Sequence, residues 1–190
     1  MINDYAELIT EAAHRTGVTD VASRAKMYVG MAEKALSRRL RVADMEAETT
    51  LTTDNPGRVD LPDDYIAARA VFVNKAELPR KSFSQIRQER ACGYVIQGSV
   101  LHSSERETDH DLAYYAAIPS LEANNTNWLL DAEPELYLQA VIFQIYTAMN
   151  DLEKVQATAG YLNTLIGGVA RQDTVARYAG MKIAASGAPA

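Results

Sequence analysis

Pro134-Glu135-Leu136-Tyr137-Leu138-Gln139-Ala140-Val141-Ile142-Phe143-Gln144-Ile145-Tyr146-Thr147-Ala148-Met149 is the stretch on which the reading of the fold turns. Proline has a fixed φ and no N–H to lose, which suits Pro134 to the first turn of a helix. Behind it, Leu136, Leu138, Val141, Ile142, Phe143, Ile145, Tyr146 and Met149 are arrayed nearly all round a 3.6-residue period. Such a helix has little face left for water. The pattern therefore predicts an element that is central to the fold or sandwiched between subunits.

Outward from it, Leu152, Val155, Ala159, Leu162 and Ile166 recur on one side of a second helix, which Gly167-Gly168 is expected to weaken or bend before Val169 to Tyr178. The residues beyond Gly180 are small and read as a flexible tail. At the other end of the chain, Asn3 to His14 reads as a short helix with Asn3 as its cap, Asp4 and Glu7 in its first turn and Gly17 just past its end. A longer helix is expected from Thr19 or Asp20. Val21, Ala25, Tyr28, Ala32, Leu36 and Leu40 line one face of it, with Arg24, Glu33, Lys34, Ser37, Arg38 and Arg41 largely elsewhere.

Between the helical ends the period changes. Thr49 to Thr53 is β-branched, Asp54-Asn55-Pro56-Gly57 is a dense turn signal, and Val59 to Leu61 resumes an extended run. Two hairpins are expected, one about Asn74-Lys75 and one about Gln97-Gly98, with a short helix near Phe83 to Gln88 between them. Leu112 to Ile118 supplies a further strand before Pro119 ends it. The resulting class is α+β, mainly α: a helical bundle made by N- and C-terminal helices, with an inserted antiparallel β subdomain projecting from it. In residues, the expected division is 1–44, 45–120, 121–180 and a tail over 181–190.

Composition bounds the function. The chain has 190 residues, 47% apolar and 23% charged, which suits a globular protein that folds without staples and excludes wholesale disorder. Its single cysteine, Cys92, cannot form an internal disulfide and reads as inert. No apolar run is long enough to span a bilayer, and Met1-Ile2-Asn3-Asp4 lacks the basic, apolar start of a signal peptide, so no membrane and no export are expected. A net charge of −6 speaks against a protein that coats nucleic acid. It is compatible with a conduit wall, to which sliding DNA should not adhere.

The search for chemistry is brief. There is no Gly-rich phosphate loop, no CxxC and no HExxH, and Gly167-Gly168 follows a helix instead of preceding one. His102 and His110, with Glu105, Asp109 and Asp111, fit no closed metal-ligand spacing. Ser103 or Ser104 with either histidine lacks a third group to orient the base, so no catalytic residue, metal or cofactor is expected. Asp63-Asp64 reads as a post-proline turn or cap, and Tyr114-Tyr115 as a half-buried strand. The cations Arg38, Arg39 and Arg41 complement a helix C-terminus, with a neighbouring subunit or passing DNA as the other reading.

Leu112-Ala113-Tyr114-Tyr115-Ala116-Ala117-Ile118-Pro119-Ser120-Leu121, followed by Asn124, Asn127-Trp128-Leu129-Leu130 and Pro134-Glu135-Leu136-Tyr137-Leu138, resembles the signature of tailed-bacteriophage head-to-tail adaptor (connector) proteins. Ala32-Glu33, Leu40-Arg41, Leu61-Pro62-Asp63-Asp64-Tyr65 and Gly93-Tyr94-Val95-Ile96 fit in order, whereas His102-Ser103-Ser104 follows Leu101 where relatives tend to place a proline. The physical reading of the signature is structural, with Trp128 buried and Asn127 acting as a cap.

The resemblance implies a non-enzymatic virion protein at the head-tail junction, assembled in the host cytoplasm. It would form a homo-oligomeric ring of about twelve copies, a dodecamer closed by rotation, beneath the portal protein and above tail or nozzle proteins. Genomic DNA would pass through at ejection without sequence-specific binding. In relatives the C-terminal region engages the portal, which points to Arg171, Tyr178 and Lys182 within a tail from Arg171 that folds on binding. The alternative is a small helical regulatory or nucleic-acid-binding module using Arg38, Arg39 and Arg41.

Overall fold

The computed structural model of the chain describes residues 2–88 and 91–179. The described residues form an α+β fold with helix in excess of strand, and the chain divides into two compact units. One comprises the residues up to Ala32 and from Trp128 onward; the other is Glu33–Asn127.

The helical unit is built on α6 (Pro134–Met149), which starts at its proline and buries Leu136, Tyr137, Leu138, Ala140, Val141, Ile142, Gln144 and Ile145. Only its last turn is exposed. Helix α1 (Tyr5–Thr16) lays Leu8, Ile9 and Ala12 into the core, and Arg15 ties it down, donating to Glu11 at 2.8 Å and to Glu135 of α6 at 2.9 Å. Its cap is Asp4, not Asn3. Asp4 has the extended backbone a cap needs and accepts from the Glu7 N–H at 2.8 Å, while Asn3 donates to the Glu7 carboxylate from one residue too early.

The second helix also begins later than its apolar pattern suggests. A 3-10 turn, Ala22–Arg24, precedes α2 (Ala25–Arg39), and no side chain caps that turn. The apolar face is as expected, with Val21, Ala25, Tyr28, Ala32, Leu36 and Leu40 all buried.

After a two-residue corner at Asn150-Asp151, α7 (Leu152–Tyr178) runs on for 27 residues, straight through Gly167-Gly168. Glycine costs about 1 kcal/mol in a helix interior but keeps its N–H, so a ladder continued on both sides carries through it. Arg171 to Tyr178, expected to order only on binding, is therefore already helical. Of the expected inner face, Leu162 and Ile166 are buried, whereas Leu152 is 68% exposed at the corner. Trp128, in the short helix α5 (Trp128–Ala132), is half-buried instead of buried.

The β-rich unit holds β1 (Glu46–Thr52), β2 (Arg58–Asp60), β3 (Tyr65–Val73), β4 (Ala76–Glu77), β5 (Tyr94–Gln97), β6 (Val100–Ser103) and β7 (Asp109–Ala116). They form two antiparallel sheets, ordered β1-β7-β3-β4 and β2-β6-β5. Leu61, Val71, Val73, Leu78, Tyr94, Leu101, Leu112 and Tyr114 make the core.

The β3–β4 hairpin turns on Asn74 and Lys75, both at positive φ, as the sequence predicts. The other turns one residue later than predicted, on Gly98-Ser99, because Gln97 pairs with Val100 and Gly98 takes a φ of 63°. β1 and β7 both start earlier than expected from Thr49 to Thr53 and Leu112 to Ile118, since Glu46 pairs with Tyr115 and Thr52 with Asp109 along one ladder. A short helix, α3 (Phe83–Arg87), sits between the hairpins behind a Ser82–Gln85 capping box. Gly57 is obligatory at its position: at φ 84°, an added Cβ would lie 2.4 Å from the Ser103 carbonyl oxygen.

Candidate functional site

The segment Ile118–Asn127 leaves β7, passes Pro119 and the single-turn helix α4 (Leu121–Asn124), and has no strand partner to take its backbone groups. Side chains from α2 take them instead. Ser37 Oγ accepts from the Ile118 N–H at 3.1 Å, and Glu33 Oε1 accepts from the Leu121 N–H at 2.8 Å. Both side chains are buried, so the expectation that they lie off the packed face is corrected: burial of a polar group is tolerated because each meets a backbone donor that would otherwise be orphaned. Asn127, also buried, donates from Nδ2 to the Pro119 carbonyl at 2.7 Å and closes the loop on itself.

The tyrosines of the same segment have different surroundings. Tyr114 is buried, stacks on Tyr65 with centroids 5.9 Å apart, and donates to Asp64 Oδ1 at 3.1 Å. Burial first, and then the bond to Asp64, hold its phenol above the ordinary tyrosine range. Tyr115 is half-buried with two guanidinium groups over its ring, Arg41 at 5.8 Å and Arg69 at 5.7 Å. Arg69 also pairs with Glu46. Arg41 caps the end of α2 by donating to the carbonyls of Ser37 and Leu40. Arg41 is thus engaged at the end of α2, and Arg38 and Arg39 lie exposed in its last turn.

The fold does bring together one pair that sequence adjacency could not. His110 Nε2 lies 2.7 Å from Ser103 Oγ, with Nδ1 2.9 Å from the Thr108 carbonyl. A carbonyl only accepts, so Nδ1 carries a proton; Ser103 Oγ accepts from the Glu105 N–H at 3.0 Å and shares a hydrogen bond with Nε2. His110 is 0% and Ser103 3% exposed, and the orienting group is a carbonyl where a triad has a carboxylate. Together with buried Thr53, which donates to the Glu105 and Thr108 carbonyls, the pair pins the loop joining β6 to β7. It is a structural strut. His102 lies apart from it, edge-on to Phe83 at 5.2 Å. Among the described residues, no three His, Cys, Asp or Glu side chains gather as a metal site, and no helix is long and apolar enough to cross a membrane.

In the helical unit, Leu129, Leu130 and Tyr137 are fully buried and Pro134 opens α6. Arg171 and Tyr178 are exposed on α7, and Lys182 lies outside the described residues, as does the tail expected over 181–190. Among the described residues, the exposed large apolar side chains are Met27, Met31, Met149, Leu152, Tyr161, Val175 and Tyr178, all in this unit.

Glu33, Ser37 and Arg69 are the residues that sequence reasoning missed. The available signal was a polar pair at i and i+4 beside the apolar stripe of α2, together with a proline that deprives the strand end of a ladder.

Buried polar groups in the β-rich unit are thus tied within the chain, and the large exposed apolar side chains lie on the helical unit. Residues 3–184 match the family described as SU10 adaptor protein, and the chain belongs to that family of phage head-to-tail adaptors. No curated protein matches the chain.

Proposed function

We propose that the chain is the ring-forming subunit that joins the portal to the tail and lines part of the DNA conduit. The observation that carries this reading is the restriction of large exposed apolar side chains to the helical unit, because contiguous or repeated apolar exposure marks surfaces that associate. Family membership supports the general role of a head-to-tail adaptor. A heterologous contact that closes by rotation gives a ring, of about twelve copies in this reading. Assembly takes place in the host cytoplasm, and no catalytic step is involved.

Arg171 and Tyr178, with Lys182 following, form the portal contact, and Arg38 and Arg39 face a neighbouring subunit or passing DNA. The signature residues, from Tyr114 to Tyr137, serve packing and the hand-over between strands and helices. Light scattering and negative-stain microscopy of the purified chain, with and without its portal, test the proposal. Rings or portal-bound rings are the expected result; a persistent monomer that ignores the portal overturns it. Salt-dependent binding of duplex DNA by the isolated subunit, abolished by neutralising Arg38 and Arg39, would favour the nucleic-acid-binding alternative.

A further inference from the structure

The β-rich unit carries a cavity of about 620 Å³ lined by apolar Phe83 and Ile86 and by the cations Arg58, Arg87 and Arg106, with Glu105 as a carboxylate among them. On a chain of net charge −6, this is a local cationic and apolar recess. A complementary occupant needs an apolar tip flanked by acid.

The exposed apolar side chains of the helical unit can be sorted by their neighbours. Met27 and Met31 stand beside Arg24, Lys26 and Lys34, and Val175 and Tyr178 beside Arg171 and an Arg177 paired with Asp173, so both groups carry net positive surroundings that match a cationic recess poorly. Tyr161 stands among uncharged residues. Among the described residues, the exposed apolar side chains with net negative neighbours are those at the corner between α6 and α7: Met149 is 49% and Leu152 68% exposed, with Asp151 and Glu153 beside them. Lys154 is turned onto Asp151 at 3.2 Å and over the Tyr146 ring at 5.2 Å, and Glu153 remains to give the corner its negative charge.

We propose that the Met149–Glu153 corner of one copy docks in the Arg58–Arg87–Arg106 cavity of the next. The proposal rests on the ring reading above and names the contact through which copies join. Leu152 enters against Phe83 and Ile86, and Glu153 meets Arg58 and Arg87, where charge sets register and approach. Corner and cavity are different patches, so the contact is heterologous and every copy has one of each to offer.

Cys92 makes the test direct. It is the chain's one cysteine, it is exposed, and it lines the cavity. Oxidised with diamide, which takes up the two electrons and two protons of each disulfide formed, the unaltered chain can reach at most a covalent dimer. The variant Leu152→Cys adds a second thiol at the corner, and its exposure leaves the fold intact. A docked corner brings the two thiols within disulfide reach, giving a ladder of covalent oligomers on a non-reducing gel. Thr10→Cys, on the exposed face of α1, controls for random collision and should give no such ladder.

In parallel, Leu152→Asp should raise the midpoint concentration for self-assembly at least tenfold by light scattering. If the unaltered chain assembles but Leu152→Cys yields no more ladder than Thr10→Cys, the docking contact is wrong and the ring reading stands. A chain that stays monomeric with and without portal overturns both.

Discussion

The two units dispose of their polar and apolar groups in opposite ways. The β-rich unit buries Glu33, Ser37, Thr53, Ser103, His110 and Asn127, and every one of them has a hydrogen-bond partner within the unit. The helical unit has a core dominated by Leu, Ile, Val, Ala and Tyr137, with Gln144 and Thr158 as buried polar residues, yet among its described residues seven large apolar side chains are left in water. Irregular backbone, such as the segment after Pro119, needs polar side chains to satisfy it, whereas a helix satisfies its own backbone and can spend its surface elsewhere. The β-rich unit is thus completed from within. The helical unit keeps its exposed apolar surface outside its own core.

That contrast can be broken most severely at α6. Tyr137→Ala removes a fully buried aromatic and should cost about 3–5 kcal/mol, read as a large fall in the urea midpoint. An effect below about 1 kcal/mol would mean that the packing around α6 is not what holds the helical unit together.

Glu33→Ala is the matching test of the β-rich unit. It strands the buried Leu121 N–H and should cost about 1–3 kcal/mol, while Glu33→Gln, which keeps an acceptor, should recover most of that loss. Equal damage from both variants would point to the carboxylate charge instead of the hydrogen bond.

Alkaline titration should probe the β-rich unit without mutation. Tyr65, Tyr94 and Tyr114 all lie in or against the β-rich core, and burial is the largest cause holding each phenol above its ordinary value near 10. The folded state then grips these protons more tightly than the unfolded chain. The stabilisation is complete below pH 10 and is lost as the pH climbs through the raised folded values. Thermal melts followed by near-ultraviolet circular dichroism should show a midpoint falling above that pH, in step with tyrosinate absorbance. A midpoint insensitive to tyrosinate formation would contradict the assignment.

The smallest effect is expected on the exposed stripe. Val175→Ser, at a side chain 69% exposed, should leave the unfolding free energy within about 0.5 kcal/mol, because its apolar surface is not used within the chain. A loss of 2 kcal/mol would show that α7 is packed in solution and would erase the contrast.

The helical elements were largely legible because their signals are local. Pro134 and the apolar crowding behind it defined α6, and the stripe from Val21 to Leu40 marked the buried face of α2. Where local signals compete, legibility fails. Asn3 and Asp4 are both cap residues one position apart, and only backbone conformation selects Asp4. Gly167-Gly168 reads as a break, yet the helix continues through it. The candidate site was less legible still, since the partners of Ser37 and Glu33 lie 81 and 88 residues away.

The sequence by itself determined where the backbone would be helical or extended, the tight turn at Asn74-Lys75, and the adaptor family to which the chain belongs, because periodicity, turn chemistry and ordered motifs are all written along the chain. Tertiary structure alone decided that Arg41 faces Tyr115, that Ser103 meets His110 in a buried strut, and that Leu152 stays in water. Each of these depends on which distant segments the fold brings to the same place, and no local period records that.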